Sequence, residues 1–283
     1  MKNLLPPQLD AAAIFTQVKM NSRDLEKKRR LSELESSVIR RYTVYESYTK
    51  KLEEISGSNI TDKEDKEALE SCYVRSKQGY LEGEVVAKII KAQSAQHKNT
   101  CPYCGMDKPR TIDHYLPKSI FPEFSIYPPN LIPCCGHCNT KKGKKWLKKG
   151  ARRFINFYYD DLPDVKFLFA ELVFEQDKRI HEPRVTFTLV QNDAVPTEQF
   201  RLINSHYIEL NLLQELSEYV EEEISNIYDE VIHNTNLRIE EHKENLKMKQ
   251  SSYIRKYGHN YWRSALYDAI IDSDEFFNRI YEL

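Results

Sequence analysis

Leu31, Leu34, Val38, Tyr45, Tyr48, Leu52 and Ile55 recur at roughly 3.5-residue spacing, with Lys, Arg and Glu filling the positions between them. A stripe of that period predicts a long amphipathic helix after the Pro6-Pro7 turn, with its apolar face toward a core. Ser56, Gly57, Ser58 and Asn59 end it, and Thr61 followed by Glu64 reads as a capping box that opens a second helix toward Gln93. Residues 1–98 are thus expected to form a helical region, an antiparallel hairpin with an added helix before it. Its Tyr and Leu stripe is read as core or partner surface ahead of active site.

Beyond residue 160 the pattern changes. Val165 to Phe174 and Arg184 to Val190 are rich in β-branched and aromatic residues and are separated by a charged turn, which predicts two paired strands. From Leu202 the helical pattern returns in three segments, 203–232, 236–257 and 260–283. The expected class is α+β and mainly helical: a helical region over 1–98, a small finger over 99–150, and a β-hairpin plus helical region over 151–283.

The chain has 283 residues, 40% of them hydrophobic and 30% charged, which suits a soluble protein of one large or two to three small domains. Net charge is −1, so any affinity for nucleic acid must come from a local basic patch. No apolar stretch approaches the roughly twenty residues of a membrane span, and the first ten residues lack the apolar core of a secretory signal. A cytoplasmic protein with no membrane partner is expected.

Chemistry concentrates in residues 101–143. Cys101 and Cys104 form one Cys-x-x-Cys pair, Cys135 and Cys138 a second, and thirty residues separate the inner cysteines. Two thiolate knuckles at this spacing predict a tetrahedral structural zinc site that ties two turns together, in a segment too short to bury a core of its own. Cys134 gives a rival register, but three residues part it from Cys138 where one metal needs two, so Cys135 is preferred. Knuckle use of cysteine agrees with a reducing compartment. Cys72, far upstream in a helical pattern, reads as core packing.

Between the knuckles stand Asp113-His114, Pro117 and Asn130-Leu131, and the second knuckle continues through Asn139, Lys142 and Gly143. In this order and spacing the segment resembles the HNH endonucleases, also called His-Me or ββα-metal finger nucleases. The resemblance covers residues 101–144. It implies a strand carrying Asp113 and His114 and a following helix carrying Asn139. Phosphodiester hydrolysis requires a water to be deprotonated, and an imidazole with a pKa near 6.5 suits that task; His114 is assigned to it. The resemblance gives Asp113 and Asn139 to a catalytic divalent ion, and gives Asn130 the role of holding the loop and orienting His114 through the backbone. Many relatives have His where Asn139 stands, and an amide oxygen there leans toward Mg²⁺ or Mn²⁺.

From Lys141 to Arg153 the chain packs six lysines and two arginines into thirteen residues. Such a run is most often a solvated helix face, yet here it starts at the end of the motif, so Lys142, Lys144, Lys145, Lys148 and Lys149 are candidates for a phosphate track. Trp146 either packs beneath the finger or stacks on a base, with packing preferred. His137 reads as a solvated loop residue, and His181, His206, His233, His242 and His259 have no companions at ligand spacing.

The function expected is a metal-dependent endonuclease on nucleic acid, DNA ahead of RNA. The continuation after His114 resembles nucleases of bacterial antiphage defence, of Septu-like or retron-linked kind, some of which work beside an ABC-type ATPase. The helical regions exceed what a minimal nuclease needs and offer a dock for such an ATPase or for a second copy. The alternative is a catalytically silent, zinc-stabilised nucleic-acid-binding or scaffold module.

Overall fold

Asp10 opens α1 (Ala11–Met20) by accepting the Ala13 amide, and Asp24 opens α2 (Leu25–Ser47) through the amides of Glu26 and Lys27. Each carboxylate satisfies amide groups that a helix start leaves without partners. The structure, a computed structural model, describes residues 2–74, 79–176 and 182–282. α2 stops short of the predicted end: Leu52–Glu54 form a separate 3₁₀ turn, from which Leu52 and Ile55 still reach the core. The apolar stripe therefore outlasts the helix that began it. The second helix starts one residue late, capped by Asp62, and α3 (Lys63–Glu70) ends well before Gln93. Leu81–Val86 wind as a π-helical turn around Gly83, followed by α4 (Ala87–Ala92) and α5 (Ala95–Asn99). Residues 75–78 of the predicted helix lie outside the described residues.

The stripe on α2 is core. Tyr42 stacks on Tyr127 at 4.3 Å between ring centroids, and Tyr45 sits edge-on to Phe124 and to Tyr127, each at 5.1 Å. These partners belong to the loop that follows His114. Arg41, also on α2, donates from Nε to the buried Glu123 carboxylate at 2.9 Å and spans Ser56 with its other nitrogens.

The finger itself is β1 (Thr111–His114) paired antiparallel with β2 (Leu131–Cys134), with Asp113 opposite Ile132 and His114 opposite Leu131, and then α6 (Gly136–Lys142). The lysine run is a hairpin and not a helix face. β3 (Leu147–Lys148) pairs with β4 (Ala151–Arg152) through a two-residue turn. Lys149 and Gly150 both have positive φ, 51° and 78°, the backbone that a tight hairpin of right-handed twist requires.

The Tyr115 hydroxyl donates to the Phe154 carbonyl and the Tyr158 hydroxyl to that of Leu131, while Arg152 bridges Glu53 and Asp160. So short a finger buries little by itself. It shares its core with the helices before it and the residues after it. The chain accordingly divides near Asp161 and not at 98 and 150: Asn3–Asp161 form one compact unit, and Leu162–Leu283 with Met1–Lys2 form the other.

In the second unit β5 (Leu168–Val173) pairs antiparallel with β6 (Arg184–Leu189), as the β-branched and aromatic content predicted. The helices are α7 (Thr197–Leu210), α8 (Leu212–Tyr219), α9 (Glu221–Ile232), α10 (Ile239–Tyr257), α11 (Trp262–Ile271) and α12 (Asp274–Tyr281). α11 packs on β5 and on α10, and α8 packs on β6. The predicted single helix over 203–232 breaks at Asn211, whose φ of 55° turns the chain between α7 and α8. Among the described residues no helix is long and apolar enough to cross a membrane.

Candidate active site

Cys135 caps α6, its Sγ accepting the Cys138 amide at 3.4 Å, and Gly105 turns the first knuckle with a φ of 74°. These turns bring Cys101, Cys104, Cys135 and Cys138 together, all buried and with their sulfurs within 4.8 Å of one another. Zinc at about 2.3 Å from each of four tetrahedral thiolates sets sulfurs about 3.8 Å apart. The Cys104 and Cys135 sulfurs are 3.9 Å apart, close to that spacing, so the four donors fit a zinc site. Hydrogen bonds from Cys101, Cys104 and Cys138 hold the Cys135 thiol far below its ordinary range. Cys134 stays outside the group, its sulfur 3.5 Å from the Thr111 hydroxyl, and burial raises its thiol well above the ordinary range. Cys72 packs in the core, where burial lifts its thiol to about 11.

Next to the knuckles, β1 presents Asp113 and His114. The Nε2 of His114 lies 2.8 Å from the Ser125 carbonyl oxygen. A carbonyl only accepts, so Nε2 carries the proton and Nδ1 the lone pair. Burial pushes this imidazole down to about 4, which leaves it an unprotonated base near neutral pH. The Tyr73 ring meets it edge to face at 4.3 Å between centroids.

Both oxygens of Asp113 are engaged. The Tyr103 hydroxyl donates to Oδ2 at 2.7 Å, and the Lys142 ammonium donates to Oδ1 at 2.9 Å and to the His114 carbonyl at 2.9 Å. Asn139 donates from Nδ2 to the Thr111 hydroxyl and the Ile112 carbonyl, each at 3.2 Å, which commits its nitrogen to β1 and leaves Oδ1 for another ligand. Asn130, fully buried, accepts the Leu116 amide at 2.8 Å and donates to the carbonyls of Leu116 and Phe124. Its own carbonyl accepts the Tyr115 amide, so one side chain closes the loop from 115 to 130 directly after His114.

Asp113, His114 and Asn139 line one open cavity of about 240 Å³, with Glu70, Lys118 and Lys144 at its edge. Asp113 and Asn139 supply hard oxygen donors to it, and carboxylate oxygens already holding one hydrogen bond retain a second lone pair. The donor set thus fits Mg²⁺ or Mn²⁺, with cavity room for waters and a phosphate.

Lys142 is a correction to the expected phosphate track. It is wholly buried against Asp113 because α6 turns it inward, three residues after Asn139. Lys144, Lys148 and Lys149 are exposed, Lys145 is half-buried, and Lys144 borders the cavity. Trp146 packs edge-on against Phe121 at 5.1 Å. His137 is exposed on α6, His206 and His242 are buried, and the His233 ring meets the Asp229 carbonyl one turn earlier. His181 lies outside the described residues, and among these no histidine joins a metal-ligand group.

Tyr103, Ser125, Glu70 and Tyr73 escaped the sequence reading. Tyr103 sits inside the first knuckle, so any tie between the knuckle and β1 had to pass near it. Glu70 ends α3 and Tyr73 lies just past it, some forty residues before His114, and nothing local marks them.

The pattern described as HNH endonuclease matches residues 101–145. The chain is 40% identical over 62 residues to protein ea31 of Escherichia phage lambda, covering 21% of this chain and 21% of that protein. It is 38% identical over 56 residues to the Septu protein PtuB of Bacillus thuringiensis, covering 18% of this chain and 22% of that one. The chain thus spans about a fifth of the length of each of these relatives. No solved structure matches it. The stretch that matches the HNH endonuclease pattern is thus the one that holds the four-cysteine cluster, the hairpin β1–β2 and helix α6.

Proposed function

We propose that this protein is a metal-dependent endonuclease that hydrolyses the phosphodiester bonds of nucleic acid, DNA ahead of RNA, with His114 as general base. The observation that carries the reading is that His114, Asp113 and Asn139 line one cavity, with the His114 Nε2 and the Asn139 Nδ2 already committed to backbone carbonyls.

His114 takes the proton from the attacking water at Nδ1, and the Ser125 carbonyl stabilises the imidazolium that results. Asp113 and Asn139 would hold Mg²⁺ or Mn²⁺, which supplies charge to the phosphorane and the departing oxygen. Tyr103 and Lys142 fix the Asp113 carboxylate. Asn130 holds the loop that carries Ser125. Cys101, Cys104, Cys135 and Cys138 would hold a zinc that ties the hairpin to the helix.

Similarity to a Septu protein supports a place among effectors of antiphage defence, with the helical regions available to an ABC-type ATPase or to a second copy. One observation favours the other reading, a silent zinc-stabilised binding module: the Lys142 ammonium already neutralises Asp113.

Incubation of the protein with plasmid, single-stranded DNA and RNA, with Mg²⁺ or Mn²⁺, separates the two. Cleavage is expected, and His114→Ala should lose about 10²–10⁴-fold in rate while keeping its zinc, the usual worth of a general base. Equal degradation by both proteins would trace the activity to a contaminant and leave the binding module.

A further inference from the structure

The domain match begins at residue 101, yet one side of the His114 ring is covered from outside it. Tyr73, just past the end of α3, meets the imidazole edge to face at 4.3 Å, interplanar angle 75°. The end of α3 is tied to the motif at further points. The Lys118 ammonium donates to the Glu70 carbonyl at 3.4 Å and lies 5.6 Å above the Tyr73 ring, and Glu70 borders the same cavity as Asp113, His114 and Asn139. α3 also packs on the 3₁₀ turn Pro122–Phe124, which leads directly into Ser125.

We propose that Tyr73 is a positioning residue for His114, its ring holding the imidazole in the tautomer and orientation that keep Nε2–H on Ser125 and Nδ1 toward the cavity.

A neutral imidazole in water exchanges readily between its two tautomers, and a hydrogen bond open to water is easily replaced by one to solvent. In a dry setting the same bond is electrostatically stronger, and breaking it strands a carbonyl. The Tyr73 ring, its centroid 4.3 Å from that of the imidazole, occupies space that solvent would otherwise fill and restricts rotation of the imidazole about its Cβ–Cγ bond. The consequence reaches beyond one contact. The base of an HNH domain would depend on a helix some thirty residues before it, so residues 99–150 alone would lack a correctly held base. Contacts made elsewhere on α3 would reach His114 through Tyr73.

This inference rests on the reading of His114 as general base, and its test runs with or without cleavage. In protein labelled with ¹⁵N-histidine, the His114 ring signals, assigned by their loss in His114→Gln, report the tautomer at neutral pH. The wild type is expected to be almost wholly Nε2–H. Tyr73→Ala should populate both tautomers, and Tyr73→Phe, which keeps the ring edge, should restore the wild-type pattern. In steady-state cleavage, Tyr73→Ala should lose about tenfold or more in kcat with KM unchanged, and Tyr73→Phe should stay within about twofold. Should Tyr73→Ala fail to fold, Tyr73→Ser, which also opens the space beside the imidazole, is read in its place. A wild-type tautomer population in the Ala or Ser variant overturns the proposal, and so does a Phe variant that behaves like Ala. A wild type that shows the Nε2–H tautomer but cleaves nothing overturns the nuclease reading alone.

Discussion

The Lys142 ammonium touches no solvent, and its contacts with Asp113 Oδ1 and the His114 carbonyl bind the end of α6 to the strand that carries Asp113 and His114. Removing one member of a buried ion pair leaves the other charge without compensation, at a cost of about 3–5 kcal/mol. Lys142→Ala should therefore lower stability by about that much in chemical denaturation. A variant as stable as the wild type would return Lys142 to the surface track. Tyr103 makes a different kind of contact. It is fully buried, sits between two zinc-fitting cysteines and donates to Asp113 Oδ2, so it joins the knuckle to the proposed cation site. Losing a group that orients a metal ligand typically costs 10–100-fold in metal affinity. Tyr103→Phe should keep one equivalent of zinc while its Mn²⁺ affinity, followed by electron paramagnetic resonance, falls by that factor. Unchanged Mn²⁺ affinity would confine Tyr103 to packing.

At the scale of elements, what could be read in advance followed the strength of the local signal. The α2 stripe and the β-branched, aromatic runs of β5 and β6 each extend over several residues, and both elements formed. The cysteine pairs were legible because a metal fixes their spacing whatever surrounds them. Boundaries and breaks were not, since Asp62 and Thr61 cap equally well on paper, and the turn at Asn211 rests on one left-handed residue that side-chain pattern does not encode. The basic run shows the same limit. Charge alone does not separate a helix face from a hairpin, and Lys149-Gly150 decides it. That hairpin holds Lys148 and Lys149 out on a two-residue turn, while Lys144 borders the cavity. A strand drawn across His114 would meet these lysines in turn, each neutralised phosphate contributing about 0.9 to the slope of log affinity against log salt. Replacing Lys144, Lys145, Lys148 and Lys149 by Gln should flatten that slope by about one unit for each lysine in contact. A slope equal to the wild type's would move the track off β3–β4.

For the whole molecule, every cysteine precedes Asp161, so the four proposed zinc ligands all belong to the first unit. Structural zinc contributes about 10–16 kcal/mol to the folding of small metal domains, as much as the stability of an entire ordinary domain. In this chain that free energy would be shared, because the loop after His114 buries Phe124 and Tyr127 against Tyr42 and Tyr45 of α2. Zinc removal should therefore unravel the knuckles and β1–β2 first and then loosen α2, whose stripe loses its partners. The second unit has a core of its own, with Phe187 of β6, Leu216 of α8 and Ala265 of α11 all buried, and none of it depends on a thiolate. Hydrogen exchange after chelation at neutral pH is expected to release the amides of residues 101–143, to weaken protection along α2, and to leave α10, α11 and α12 as protected as before. Loss of protection spread evenly over both units would show that the metal supports the entire chain. Full retention in residues 101–143 would show that the aromatic core, and not zinc, sets the finger's shape.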